Sequence, residues 1–178
     1  MDAVKTAFRV SSAPAVLTYP ADDDYNAPRI DVLYARFRSG CDIVAASRFM
    51  RGGTMRGSPI LKTVLVRAAA LALYHFARLP THDPSNGLRL FSRRVLEGIP
   101  IESRVGFTYS IELLVKAHRL AWKICEVPAE WHERKRGASR FRLLRWLPAY
   151  LVWFRYAFAT TYLRRGPATV RTRRTPTL

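Results

Sequence analysis

Apolar positions in this chain fall into short runs, and the period of the runs changes from one to the next. Residues 13–21, APAVLTYPA, are rich in β-formers and predict a buried strand that ends in a loop. PRIDVLYARFRSG (28–40) opens on Pro and closes on Gly, with Ile30, Leu33, Tyr34 and Phe37 at helical spacing. That punctuation predicts a short helix. CDIVAASRF (41–49) predicts a second strand, and MRGGTMRGS (50–58) a Gly-rich basic loop. Residues 58–80, SPILKTVLVRAAALALYHFARLP, predict a long helix with Ser58 and Pro59 as cap and first turn. Its hydropathy approaches that of a membrane span. Lys62, Arg67, His75 and Arg78 oppose spanning, because central charges are expensive in lipid.

The second half continues the alternation. THDPSNGLRLFSRRVL (81–96) predicts a turn-rich loop, a strand and the start of a helix. GFTYSIELLVKAHRLA (106–121) predicts a helix carrying Glu112. WKICEVPAEWHER (122–134) alternates as a strand does, with Ile124, Val127 and Trp131 as core candidates. RKRGASRF (134–141) is a basic loop, followed by RLLRWLPAYLVWFRYAFATTYLRR (142–165), dense in Trp, Tyr and Arg. The stretch from Gly166 to Leu178 is basic and aperiodic and predicts disorder. Strand and helix in this order give an α/β class. There is no internal repeat.

Composition changes this reading in one respect. The 178 residues suffice for one domain, but 30 Lys and Arg stand against 13 Asp and Glu, a net charge of +17. Such an excess calls for an anionic partner: nucleic acid, an anionic membrane surface or phosphorylated small molecules. Cys41 and Cys125 form no CxxC or metal pattern and read as reduced, buried small hydrophobes in a reducing compartment. MDAVKTAFRV has no apolar core of a signal peptide. P-loop, dinucleotide-binding, nucleophile-elbow and zincin motifs are missing from the sequence.

The densest negative charge, Asp22-Asp23-Asp24, follows the first strand. Acidic triplets are usually solvated loop. Asp22 and Asp24, separated by one residue, also have the spacing with which two carboxylates reach one Mg²⁺ or Mn²⁺ beside substrate phosphates. Ser47-Arg48, Gly52-Gly53, Lys62 and Arg67 read either as a solvated basic surface or as a phosphate site of Arg forks and open backbone. Glu112 is either a helix-surface residue pairing with Lys116 at i+4 or a carboxylate that serves as general base or organiser. Asp83 to Gly87 read first as a turn, and WHERKRGASRF equally as a nucleic-acid patch. His82 and His132 lack partners at metal-ligand spacing.

Taken in order, these pieces resemble the second half of a family-2 glycosyltransferase of the dolichol- or polyprenyl-phosphate sugar synthase type. The resemblance rests on the acidic DxD after a strand, then GCDIVAASRFMRGG, DPSNGLRLFSRRVL, and GFTYSIELLVKAHRLAWKICEVPAEWHERKRGASRF, over roughly residues 13–141. It implies a partial Rossmann-like α/β sheet with flanking helices, and transfer of a sugar with inversion from a nucleotide-sugar donor to an acceptor, often a lipid phosphate, at the cytoplasmic membrane face. It implies Asp22 and Asp24 as metal and donor-diphosphate residues, with Asp23 in the variable middle position. Arg48, Lys62 and Arg67 would meet the anionic acceptor or the diphosphate. Asp83, Ser85 and Asn86 would shape the active-site floor, and Glu112 would be the acceptor-side carboxylate. Arg134, Ser139 and Arg140 would belong to a loop closing over the phosphates, with Arg140 where many relatives have Lys. A phosphate acceptor is ionised at neutral pH and needs no base, which would make Glu112 an organiser.

The chain departs from that family before residue 13, where the strands that cradle the nucleotide base are expected and MDAVKTAFRV resembles a helix from midway through the family's domain. The expectation is therefore a C-terminal half of the catalytic domain over 1–141. A longer reading frame is the favoured explanation, with a true inactive remnant acting as a membrane-bound partner and a second chain as alternatives. An exposed sheet edge and poor solubility are expected to accompany it. Residues 142–165 are expected to lie as amphipathic helix in the membrane interface. Trp and Tyr favour the headgroup region, whereas Arg155 and Pro148 oppose spanning. Nucleic acid is not the expected partner, since the aromatics gather in one apolar helix rather than among the cations of a nucleic-acid face.

Overall fold

The computed structural model describes residues 2–133 and 143–173. Helix α1 (Asp2–Val10) leads into strand β1 (Ala15–Thr18), and a 3₁₀ turn at Ala27–Arg29 leads into α2 (Ile30–Arg38). Then follow β2 (Ile43–Ser47), β3 (Thr54–Arg56), α3 (Ile60–His75), β4 (Arg89–Ser92), α4 (Arg93–Gly98), α5 (Thr108–Arg119), β5 (Ile124–Pro128), β6 (Glu130–His132) and α6 (Leu143–Tyr162). The chain is thus α/β, as its alternating periods predict.

Four strands form a mixed sheet in the order β1-β4-β2-β5. β4 runs antiparallel to both neighbours, β1 and β2, while β2 and β5 are parallel, in a register that sets Val44 opposite Cys125. β2 is buried along its whole length, because both faces of the sheet are covered. Ile43 packs with Phe8, Phe91, Leu113 and Leu114 on one side, and Val44 and Ala46 with Leu33 and Leu90 on the other. A third cluster, including Leu73, Ile111, Val115, Trp153 and Ala157, fastens α3 and α6 to α5. β1 lies at one edge of the sheet and pairs only with β4 among the described residues.

Several expectations are corrected. The Gly-rich basic loop contains a strand, β3, which pairs in parallel with β6. The alternating run 122–134 is two strands broken at Ala129, whose N–H turns to the Ser47 carbonyl. Ser58 is not the cap of α3; Pro59 takes that position and the helix stops at His75. Half of α3 is exposed, and only Ala70 and Leu73 are buried. In α2, Leu33 is buried but Ile30 and Tyr34 are exposed, so the helical spacing overstated its inner face. The stretch after α6 is not irregular throughout, since Pro167–Thr169 make a 3₁₀ turn, Val170 is buried, and the Arg173 N–H donates to the Gly98 carbonyl.

Cys41 and Cys125 are not free thiols. They form a disulfide with Cα atoms 6.0 Å apart, linking the chain just before β2 to the neighbouring strand β5. The inference of a reducing compartment from unpaired cysteines therefore loses its basis.

Candidate functional site

Strand directions decide where the chemistry gathers. β1, β2 and β5 point the same way, so their C-terminal ends and the start of antiparallel β4 share one end of the sheet. This is the end at which open α/β sheets receive ligands. The loops leaving it carry the aspartates (after β1), Arg48 (after β2), Asp83 to Leu88 (before β4) and the turn into β6 (after β5).

In the acidic loop the three aspartates divide. Asp23 turns inward: its Oδ1 accepts the N–H groups of Tyr25 and Asn26 at 3.0 and 2.9 Å, and its Oδ2 accepts the Asn26 side-chain amide. This closes the loop as an Asx turn. Asp22 and Asp24 remain exposed on either side. Asn26, 1% exposed, then ties the loop to β6. Its Nδ2 donates to the Glu130 carbonyl and its Oδ1 accepts the Glu130 N–H. Tyr25 stacks on His132 of β6 with ring centres 3.8 Å apart.

Arg48 and Asp83, thirty-five residues apart, form the centre of the site. The Arg48 Nε donates to Asp83 Oδ2 at 2.6 Å, and its Nη2 donates to Asp83 Oδ1 and the Ser85 hydroxyl. The Arg48 backbone N–H adds a third bond to the same carboxylate. Asp83 is completely buried. Burial raises its pKa, but the Arg48 charge and hydrogen bonds outweigh burial and hold it below the ordinary carboxylate value. Arg48 balances the same two effects and is held above its ordinary value. Phe49 and Trp131 flank the guanidinium, whose carbon lies 5.0 and 5.8 Å from their ring centres. These bonds use three of its five side-chain donors; the two on Nη1 make no hydrogen bond among the described residues. Gly53 allows this packing, since a Cβ there would collide with the Ser47 carbonyl and the Arg48 backbone.

The other predicted residues separate. Ser85 joins Arg48 and Asp83, while Asn86 is a buried turn residue whose Oδ1 accepts the Leu88 N–H. Lys62 donates to both oxygens of Glu133, at the end of β6. Arg67 is exposed on α3, and no hydrogen bond or ion pair among the described residues joins it to the cluster. Glu112 is wholly buried, and its oxygens accept the backbone N–H groups of Glu102 and Ser103 at 2.7 and 2.8 Å and Lys116 Nζ at 2.6 Å. The anticipated i+4 pair with Lys116 is therefore present, but inside the molecule rather than on the surface. Arg134, Ser139 and Arg140 lie outside the described residues.

Sequence reasoning missed several participants. Glu126 accepts the His82 backbone N–H, the Thr81 hydroxyl and the His82 ring Nδ1, which fixes the turn that presents Asp83. Tyr74 of α3 stacks on that ring. Arg89 is fully buried beneath Asp83; it donates to the Ser110 carbonyl and hydroxyl, and burial pulls its pKa down to about 10. Asp23, passed over as a variable position, has a motif signal in Asp-x-x-Asn.

No protein-family model matches the chain. Among curated proteins it is similar to the polyprenol monophosphomannose synthase of Mycolicibacterium smegmatis, 29% identical over 122 residues, covering 67% of this chain and 46% of the relative. It is 26% identical over 144 residues to the dolichol-phosphate mannosyltransferase of Pyrococcus furiosus, covering 79% of this chain and 40% of that protein. With the dolichyl-phosphate hexose transferase of Haloferax volcanii it shares 29% identity over 139 residues, covering 74% and 56%. The chain spans about half the length of the curated relatives it matches. Motif order and these three matches agree: the chain is similar, over two thirds of its length or more, to the dolichol- and polyprenol-phosphate sugar synthases.

Proposed function

We propose that this chain carries part of a site for glycosyl transfer from a nucleotide-sugar to a polyprenyl or dolichyl phosphate, worked at the cytoplasmic face of a membrane. The observation that supports it is the convergence of the acidic loop, the Arg48–Asp83–Ser85 cluster and β6 at one end of the sheet. In this reading the Nη1 donors of Arg48 take a phosphate oxygen, and Asp83, Ser85 and the flanking rings hold the guanidinium still beforehand. Lys62, shared with Glu133, adds a second cation. Glu112 positions rather than abstracts a proton: its oxygens are already bonded, and it fixes the 102–103 backbone. Arg134, Ser139 and Arg140 would extend the phosphate site from the following loop.

The acidic loop fits a divalent cation. Asp23 closes the turn, and the carboxylates on either side of it, Asp22 and Asp24, are exposed; two is the number Mg²⁺ takes from protein beside substrate phosphates. Asp22 and Asp24 would hold Mg²⁺ or Mn²⁺, and the cation would supply charge neutralisation for the donor diphosphate. Membrane contact is read from two helices. Ile60, Leu61, Val64 and Leu65 of α3, and Leu147, Leu151 and Val152 of α6, are exposed. No described helix is long and apolar enough to cross a membrane; the contact proposed for α3 and α6 is through these exposed side chains at the membrane surface.

Calorimetric titration of UDP- and GDP-sugars, with and without Mn²⁺, tests the donor site in this chain and in an N-terminally extended one. Metal-dependent binding is expected in at least one of them, and Asp24→Ala should weaken it at least about tenfold while vesicle binding is retained. Donor binding that ignores both metal and Asp24 would remove the acidic loop from the site. No binding in either form would favour an inactive remnant.

A further inference from the structure

Away from the Arg48–Asp83 cluster, a cavity of about 680 Å³ opens between the end of α5, the second half of α6 and the turn that follows. Its wall carries three arginines, Arg119, Arg155 and Arg165, and no Asp or Glu. Arg119 is buried and fixed: its Nε donates to the Thr160 hydroxyl, its Nη1 to the Thr169 hydroxyl and its Nη2 to the Tyr156 carbonyl. Its guanidinium lies 3.3 Å from the centre of the Tyr156 ring. All these partners are neutral, and two of its five donors make no bond among the described residues. Burial lowers its pKa and the nearby Arg165 charge lowers it further, so like charges share the groove. Arg155 and Arg165 are exposed, and neither pairs with a carboxylate among the described residues. Beside the cations stand exposed apolar groups: Val152 (57%), Tyr162 (61%) and Leu163 (66%).

We infer that this groove binds the phosphate of an anionic phospholipid, with the start of an acyl chain along Val152 and Leu163. Charge complementarity selects the anion: the groove wall holds three guanidiniums and no carboxylate, and the Arg165 charge already bears on Arg119. The apolar rim selects an amphiphile over a free anion, which has no use for it. The inference rests on the membrane-surface reading and adds to it a specific site, separate from the residues proposed to handle substrate.

The test is vesicle co-sedimentation at constant ionic strength, using pure phosphatidylcholine and phosphatidylcholine mixed with phosphatidylglycerol. The chain and two double variants are compared: Arg155→Gln/Arg165→Gln, and Arg36→Gln/Arg38→Gln on the exposed end of α2, which removes the same charge elsewhere. Arg119 is left intact because it ties α5 to α6. The wild type should prefer the phosphatidylglycerol vesicles. The groove variant should lose roughly 30-fold in binding to them, from about 1 kcal/mol for each cation at the surface, with little change on phosphatidylcholine. The α2 variant should stay within about twofold. Equal losses in the two variants would mean diffuse attraction by the net charge and would overturn the site. Release of the wild type by millimolar inorganic phosphate would show that the groove takes free phosphate rather than lipid, also overturning it. A wild type that binds neither vesicle would overturn the membrane reading itself, whereas wild-type binding unchanged in the groove variant would overturn the groove alone.

Discussion

Asp83→Asn should lower the unfolding free energy by about 3–5 kcal/mol at neutral pH, as removal of one partner from a buried ion pair does. Asp83 is completely buried and the Arg48 side chain is 9% exposed, so little solvent is at hand to take over the guanidinium. Asparagine keeps one acceptor but not the charge, and Arg48 Nε and Nη2 both lose an anionic partner. The pH dependence distinguishes this pair from simple misfit. The folded Asp83 pKa lies below the ordinary value of 3.8. Its contribution is therefore complete above that value and is lost as pH falls through the folded pKa. Urea unfolding of both proteins should show a gap that is wide at pH 7 and narrows below about pH 4. A gap that does not change with pH would mean that the pair's charge contributes nothing. The same variant should weaken donor or acceptor binding, because the fork of Arg48 would no longer be held in place.

The second large effect concerns Cys125. Its disulfide with Cys41 spans 84 residues, and closing a loop of that length restricts the unfolded chain by about 4.5 kcal/mol in the chain-entropy account. Cys125→Ser should lose most of that stability, and reduction of the wild type should lower its melting temperature to that of the variant. A wild-type melting temperature indifferent to reductant would show that the bond does not form in solution. The substitution leaves the Arg48 cluster and the acidic loop untouched, so any change in donor binding would report loosening of the sheet.

The elements were largely legible because each carries its own period and punctuation. Pro28 and Gly40 bracket α2. The Arg48–Asp83 pairing was legible only as two motifs. Its geometry depends on antiparallel β4 returning beside β2, a tertiary fact. Helical spacing announced Glu112 and Lys116 as neighbours, but nothing local to α5 told that the face they share is covered by the 100–103 segment and α6. The disulfide was invisible because pairing across adjacent strands leaves no short spacing. The exposure of α3 was hidden for the opposite reason: its hydropathy is that of a core helix, and only packing shows that the core ends at Ala70 and Leu73. Asn26 looked like loop, and its importance lies in partners 104 residues away.

The disulfide also divides the site along a covalent ring. Residues 41–125 close on themselves and include Arg48, Lys62, Asp83, Ser85 and Glu112. The acidic loop, Asn26, Trp131 and Glu133 hang outside it. The two Asn26–Glu130 bonds join outer segments to each other, and the outer segments meet the ring through the β1–β4, β2–β5 and β3–β6 pairings and through α6 packed on α5. Amide protons should then exchange in two tiers in the oxidised protein, with β2 and α5 outlasting the segment around Asp23 and Asn26. The limb carrying the carboxylates would open and reclose on its own timescale while the cationic half of the site stays assembled.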